Sequence, residues 1–159
     1  MSGWALCGCL ALGFSSALVA GVFQSFSDFV MAGLARARPA GGVESMQQLN
    51  RTVMRSVFLA TFLALVPLTV GFAIYTFSTL AGPSQILTVA ASAFYIVSVF
   101  FVTIFRNVPM NNTLDALTPD SEAARDYWQR YTRQWTRWNH VRTLGAAATS
   151  ALYLLAVAQ

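Results

Sequence analysis

Apolar residues run through this chain in four long blocks, separated by polar stretches of unequal character. The first block covers residues 4–34, the second 57–80, the third 85–105 and the last 144–158. The first three reach the roughly 20 residues that cross about 30 Å of hydrocarbon at about 1.5 Å per residue. The last is fifteen residues long and falls short, so the turns before it must complete a span over 139–158. Just upstream, Trp128, Tyr131, Trp135, Trp138, Arg142 and Gly145 recur at spacings of three and four, which lines them along one face of a helix. The pattern predicts an amphipathic helix over 119–138 that lies at the bilayer surface and then dives in. The expected fold is all-α: an integral membrane four-helix bundle over 1–159, one transmembrane domain, with an amphipathic extension leading into the fourth helix.

Local signals punctuate these blocks. Gly13, Ala17, Gly21 and Ser25 fall at every fourth position of the first block, the small-residue stripe that lets helices approach closely in lipid. Residues 36–55 read as a loop with a turn at Pro39-Ala40-Gly41-Gly42, followed by a helical face shared by Gln47 and Asn50. Pro67 should kink the second span. Ala81-Gly82-Pro83-Ser84 is a tight turn, and Arg106 to Asn112, marked by Pro109, should end the third span. Thr118 and Pro119 suit the cap and first position of the last helix. The opening block lacks a basic leader and is too long for a signal sequence, so it reads as a retained span.

Composition agrees with this pattern and narrows it. The chain is 56% hydrophobic and 10% charged, against about 25% charged in a soluble domain. All ten basic residues are Arg, and the net charge of +4 points to headgroup contact and sidedness, with nucleic acid not expected as a partner. Cys7 and Cys9 sit two apart in an apolar run, about 200° round a helix, and read as packing residues. Arginines flank the first and third loops, whereas the second loop and both ends carry none. The positive-inside rule then puts both basic loops in the cytoplasm and both termini outside, as in a bacterial inner membrane.

With that sidedness, Gln24, Asp28, Gln47, Asn50, Asn107, Asn111, Asn139, His140 and Arg142 all fall toward one end of the bundle. Polar groups at such depth need a partner or a purpose. Asp28 either joins a buried network, with Arg142 or Arg106 as its partner, or simply reaches headgroup water. One His without neighbouring Cys leaves a transition metal short of ligands, so no metal site is expected. No cofactor is predicted either, with a haem or flavin left open. The residues themselves offer an imidazole for proton transfer, carboxamides and a guanidinium for an anion, or an interfacial belt of Trp, Tyr and Arg. At 100° per residue His140 and the Trp stripe do not share a face.

Four segments carry a resemblance: Phe26-Ser27-Asp28-Phe29-Val30-Met31, Met46-Gln47-Gln48-Leu49-Asn50, Asn107-Val108-Pro109-Met110-Asn111, and Trp135-Thr136-Arg137-Trp138-Asn139-His140-Val141-Arg142-Thr143. In this order they resemble the anthrone oxygenase-like family of small four-helix membrane proteins, and the likeness spans nearly the whole chain. The family implies oxidation of a hydrophobic anthrone- or phenol-like molecule by O₂ without a metal or organic cofactor. Carried over, it points to Gln47, Asn50, Asn107, Asn111, Trp135, Asn139, His140 and Arg142. His140 would act as general base, Asn50, Asn107, Asn139 and Arg142 would hold the oxyanion, and Trp135 would stack on the ring. Gln24, Asp28 and Trp138 complete the expected substrate-binding set. The alternative is a non-enzymatic accessory subunit of a larger membrane complex, a homo-oligomer contact, or a quinone- or pigment-binding protein, supported by the small-residue stripe and the aromatic belt.

Overall fold

The computed structural model describes residues 1–159 as five helices and no strands. Helix α1 runs Gly3–Arg36, α2 Pro39–Val53, α3 Val57–Thr79, α4 Pro83–Asp115 and α5 Glu122–Val157. Three of them, α1, α3 and α4, are long and apolar enough to cross a membrane. The predicted fourth span differs: its residues form the last part of the 36-residue α5, in which no stretch of 18 residues is apolar enough to qualify.

Serine hydroxyls start three of the helices by accepting an otherwise orphaned backbone N–H. Ser2 Oγ takes it from Ala5 at 3.3 Å, Ser56 Oγ from Leu59 at 3.1 Å and Ser121 Oγ from Ala124 at 3.1 Å. The expected cap at Thr118 is therefore displaced by three residues; the Thr118 carbonyl instead accepts from the Ser121 hydroxyl at 2.7 Å. Pro39 does not mark a turn, because its missing N–H costs nothing in the first turn of α2 and it opens that helix. Gly82, with φ of +67°, makes the connection between α3 and α4.

Two helices contain wide turns of i→i+5 bonding where regular helix was expected. In α1 the turn covers Phe26–Val30, with the Met31 N–H donating to the Phe26 carbonyl. In α4 it covers Tyr95–Phe101 and Thr103–Asn107, where the Val108 N–H reaches back to Thr103. The predicted break at Pro109 is absent for this reason: the widened turn before it lets the helix pass the proline and continue to Asp115.

α5 is the spine of the bundle, packed along α1 and α4 and touching α2, while α3 packs on α1 and α4. Its apolar half joins a cluster including Cys9, Leu12, Val19, Phe23, Phe62, Leu65, Tyr95, Val99 and Tyr153. Polar side chains in that half are spent between helices: Ser92 pairs with Tyr153 at 2.8 Å, and Tyr95 donates to the Phe62 carbonyl at 2.9 Å. The polar half of α5 buries Trp128, Tyr131 and Trp135 in a second cluster with Met31, Val43, Met46 and Leu114. Close approach of α2 is set at Gly42, where a Cβ would lie 2.8 Å from both the Leu34 carbonyl and the Trp128 ring.

The small-residue stripe on α1 is not the packing face. Gly13 is buried against Ser150 and Leu154, but Ala17 and Gly21 are exposed. Four residues turn a helix about 400°, so a stripe at every fourth position drifts about 40° per step away from the contact that Gly13 makes.

Candidate functional site

A half-open cavity of about 350 Å³ lies where the two clusters meet. Its wall is mostly apolar: Phe23 and Phe26 from α1, Met46, Leu49 and Val53 from α2, Phe58, Leu59 and Phe62 from α3, Val108 from α4 and Trp135 from α5. The polar groups facing it are Asn50, Arg51, Thr103, Asn111, Asn112, Asp115 and Arg142.

Arg142 is the site's unusual residue. It is 5% exposed, yet the only ion pair in the protein joins Arg51 to Asp115, at 2.9 Å, on the half-exposed rim. The Arg142 guanidinium is held by neutral partners. It donates to Asn139 Oδ1 at 2.6 Å and Thr103 Oγ1 at 3.3 Å, and its carbon lies 4.4 Å from the Phe23 ring centre and 5.1 Å from that of Trp135. Flat rings suit a guanidinium better than an ammonium, which explains how the charge is tolerated without a carboxylate. Its Nε–H remains buried and unpartnered.

Asn139 fixes that arginine. Fully buried, its amide donates at 2.6 Å to both the Phe23 carbonyl and the Ser27 hydroxyl, and Ser27 sits in the wide turn of α1. Asn107, also buried, comes from the corresponding wide turn of α4 and donates to the Trp135 carbonyl at 3.3 Å, leaving its Oδ1 without a partner. Both widened turns therefore hand a polar group to α5. Asn111 Oδ1 accepts two donors, Tyr131 Oη and Trp135 Nε1, each at 2.8 Å, which locks the aromatic stripe against the end of α4. Burial pushes the Tyr131 phenol above the ordinary tyrosine range, so it stays a hydrogen-bond donor at neutral pH. Asn50 faces the cavity beside the Tyr131 phenol, with its Nδ2 buried and making no hydrogen bond of good geometry.

The predicted polar set thus divides. Asn50, Asn111, Trp135 and Arg142 line the cavity, and Asn107 and Asn139 stand directly behind it. Gln47 is buried nearby but acts as a clip, donating to the carbonyls of Leu114 and Leu117 at 2.9 and 2.8 Å. Four residues are not brought in. His140 is exposed on the outward face of α5, opposite the buried stripe, so the expectation of a general base there is corrected by helix geometry. Gln24 and Asp28 are exposed on the outside of α1, and Asp28 pairs with neither Arg142 nor Arg106. Trp138 is half-buried beneath the Arg106 guanidinium, 4.7 Å from its ring centre, outside the cavity lining. Sequence reasoning missed Thr103 and the phenylalanines of the wall. Thr103 lies in an apolar run that gave no hint of a wide turn.

Fold and site together describe a helical, membrane-compatible protein with an aromatic-walled cavity and an unneutralised guanidinium on its wall. A family model described as anthrone oxygenase matches residues 45–152, and the chain belongs to that family. The matched range supplies every lining residue except those of α1. No curated protein and no solved structure matches the chain.

Proposed function

We propose that this protein is a membrane-embedded oxygenase that uses O₂ to convert the methylene of a flat, anthrone- or phenol-like substrate to a carbonyl. The observation that carries the reading is Arg142, a buried cation with no protein carboxylate beside it and one N–H unspent. A low-dielectric wall of this kind favours a ligand that brings its own negative charge. About 350 Å³ is at the small end of the roughly 300–1,000 Å³ common for ligand pockets, and the wall is aromatic and aliphatic as such a substrate requires.

Loss of a proton from the methylene that lies across the middle ring from the carbonyl, and is conjugated with it through the flanking aromatic rings, leaves a phenolate-like enolate whose oxygen is held by Arg142, with the Asn50 N–H as a second donor. The electron-rich carbon then reduces O₂. One oxygen atom ends on carbon and the other leaves as water, so CH₂ plus O₂ becomes C=O plus H₂O and no further reductant is needed. His140 has no place in this scheme. Asp115 is the one carboxylate in the lining, and the proton leaves through it or through water at the mouth. The bundle lies in the bilayer with α1, α3, α4 and the last part of α5 as spans, both termini outside and the arginine-rich loops cytoplasmic. Substrate enters from the lipid.

The test is O₂ uptake by the purified protein given an anthrone. The proposal expects uptake above buffer, one anthraquinone formed per O₂ consumed and no hydrogen peroxide. Quinone formation at the buffer rate, with tight binding of the product or co-purification of a stable partner, would favour the binding-protein alternative instead.

A further inference from the structure

Outside the cavity, the strongest unassigned feature is a second, smaller concavity of about 160 Å³ on α5, lined by Arg130, Arg133, Gln134 and Arg137 alone. All four are exposed, and none of the three arginines is within salt-bridge distance of a carboxylate, although Asp126 is one turn before Arg130. At 100° per residue the three arginines occupy about 60° of arc, and His140 extends it to about 80°. That arc is centred opposite the buried Trp128, Tyr131, Trp135 and Arg142. Arg137 stands two residues, about 3 Å along the helix, before the span expected over 139–158, within the roughly 5–7 Å of a headgroup layer. The Arg106–Trp138 stack beside it has the composition of an interfacial anchor.

We infer that this arginine notch binds the phosphate of an anionic phospholipid headgroup, fixing the depth and rotation of α5 in the membrane. Three guanidiniums around a cleft of this size match one phosphate and its neighbours in charge and hydrogen-bond geometry. Such a lock would hold the opposite face of the same helix, and with it Arg142, at a set height over the cavity. The inference rests on the membrane placement proposed above and is independent of the reaction.

The full chain in phosphatidylcholine nanodiscs, with and without phosphatidylglycerol, tests it by thermal melting. Phosphatidylglycerol should raise the melting temperature of the wild type. The triple variant Arg130→Gln, Arg133→Gln, Arg137→Gln should melt as the wild type does in pure phosphatidylcholine and gain nothing from phosphatidylglycerol, while the triple Lys variant keeps part of the gain. Inorganic phosphate added to phosphatidylcholine discs should have no such effect; an equal rise would point to a soluble anion and overturn the lipid assignment. An equal rise in wild type and Gln variant, or none in either, would also overturn it. Should the Gln variant not fold, native mass spectrometry of the wild type decides: phosphatidylglycerol must be retained over phosphatidylcholine from an equimolar mixture, by about fivefold per arginine engaged. A chain that does not insert into discs defeats the membrane placement, whereas one that inserts without lipid preference defeats this inference alone.

Discussion

Two residues show how a polar side chain inside an apolar bundle divides between holding the fold and facing a ligand. Asn111 holds the fold: its Oδ1 takes both the Tyr131 phenol and the Trp135 indole. Asn111→Ala strands both donors, and each stranded group costs about 1–3 kcal/mol. Thermal melting should show a clear loss for Asn111→Ala and almost none for Asn112→Ala, whose exposed side chain makes no hydrogen bond; equal melting would show that the two donors find other partners. Arg142 does the reverse, since its partners leave a charge and an N–H unanswered. The sequence made these residues visible because amides and a guanidinium are conspicuous near apolar runs. The helix angle already sets His140 off the Trp stripe, and it is the resemblance that carries it into the site; Asp28, open between a buried and an exposed place, is exposed. Gln24 is misplaced because depth along a helix is readable from hydropathy, whereas the rotation of α1 depends on its packing partners.

Among the elements, the aromatic stripe of α5 was legible because its spacing follows 3.6 residues per turn for five turns and every member but Trp138 is buried. The wide turns were not legible: Phe26–Val30 and Thr103–Asn107 contain no residue that separates them from ordinary helix, and only the hydrogen bonds reveal them. The glycines of α2 give a paired test of how that helix docks. Gly42→Ala would push a methyl into the Leu34 carbonyl and the Trp128 ring, and overpacking of this kind costs roughly 1–3 kcal/mol. Gly41→Ala meets no atom within 4 Å and should stabilise the protein by about 0.5–1 kcal/mol through helix propensity. Denaturation midpoints moving in the same direction for both variants would contradict the packing of α2 on α5.

For the whole molecule, the family and the helical architecture were readable from motifs and apolar blocks; the family match over residues 45–152 covers three of the four motifs, and Phe26–Met31 lies outside it. The pattern also anticipated one helix that is polar in its first part and apolar in its last, and α5 runs unbroken over Glu122–Val157; what it did not convey is the cavity at the level where the helix changes character. Under the proposed function, that level is where an apolar substrate from the bilayer would meet a buried positive charge. The central claim is that Arg142 is kept there for the reaction and at some expense to stability, since taking a charge out of water without a carboxylate to answer it is costly. The most direct measurement pairs anthrone turnover with thermal melting for Arg142→Met and His140→Ala. Arg142→Met should lose about 10²–10³-fold in turnover, the range for removal of an oxyanion donor, while remaining folded, since release of the desolvated charge offsets the stranding of Asn139 Oδ1; His140→Ala should turn over as the wild type does. An Arg142→Met protein that turns over normally, or a His140→Ala protein that does not, would contradict the account.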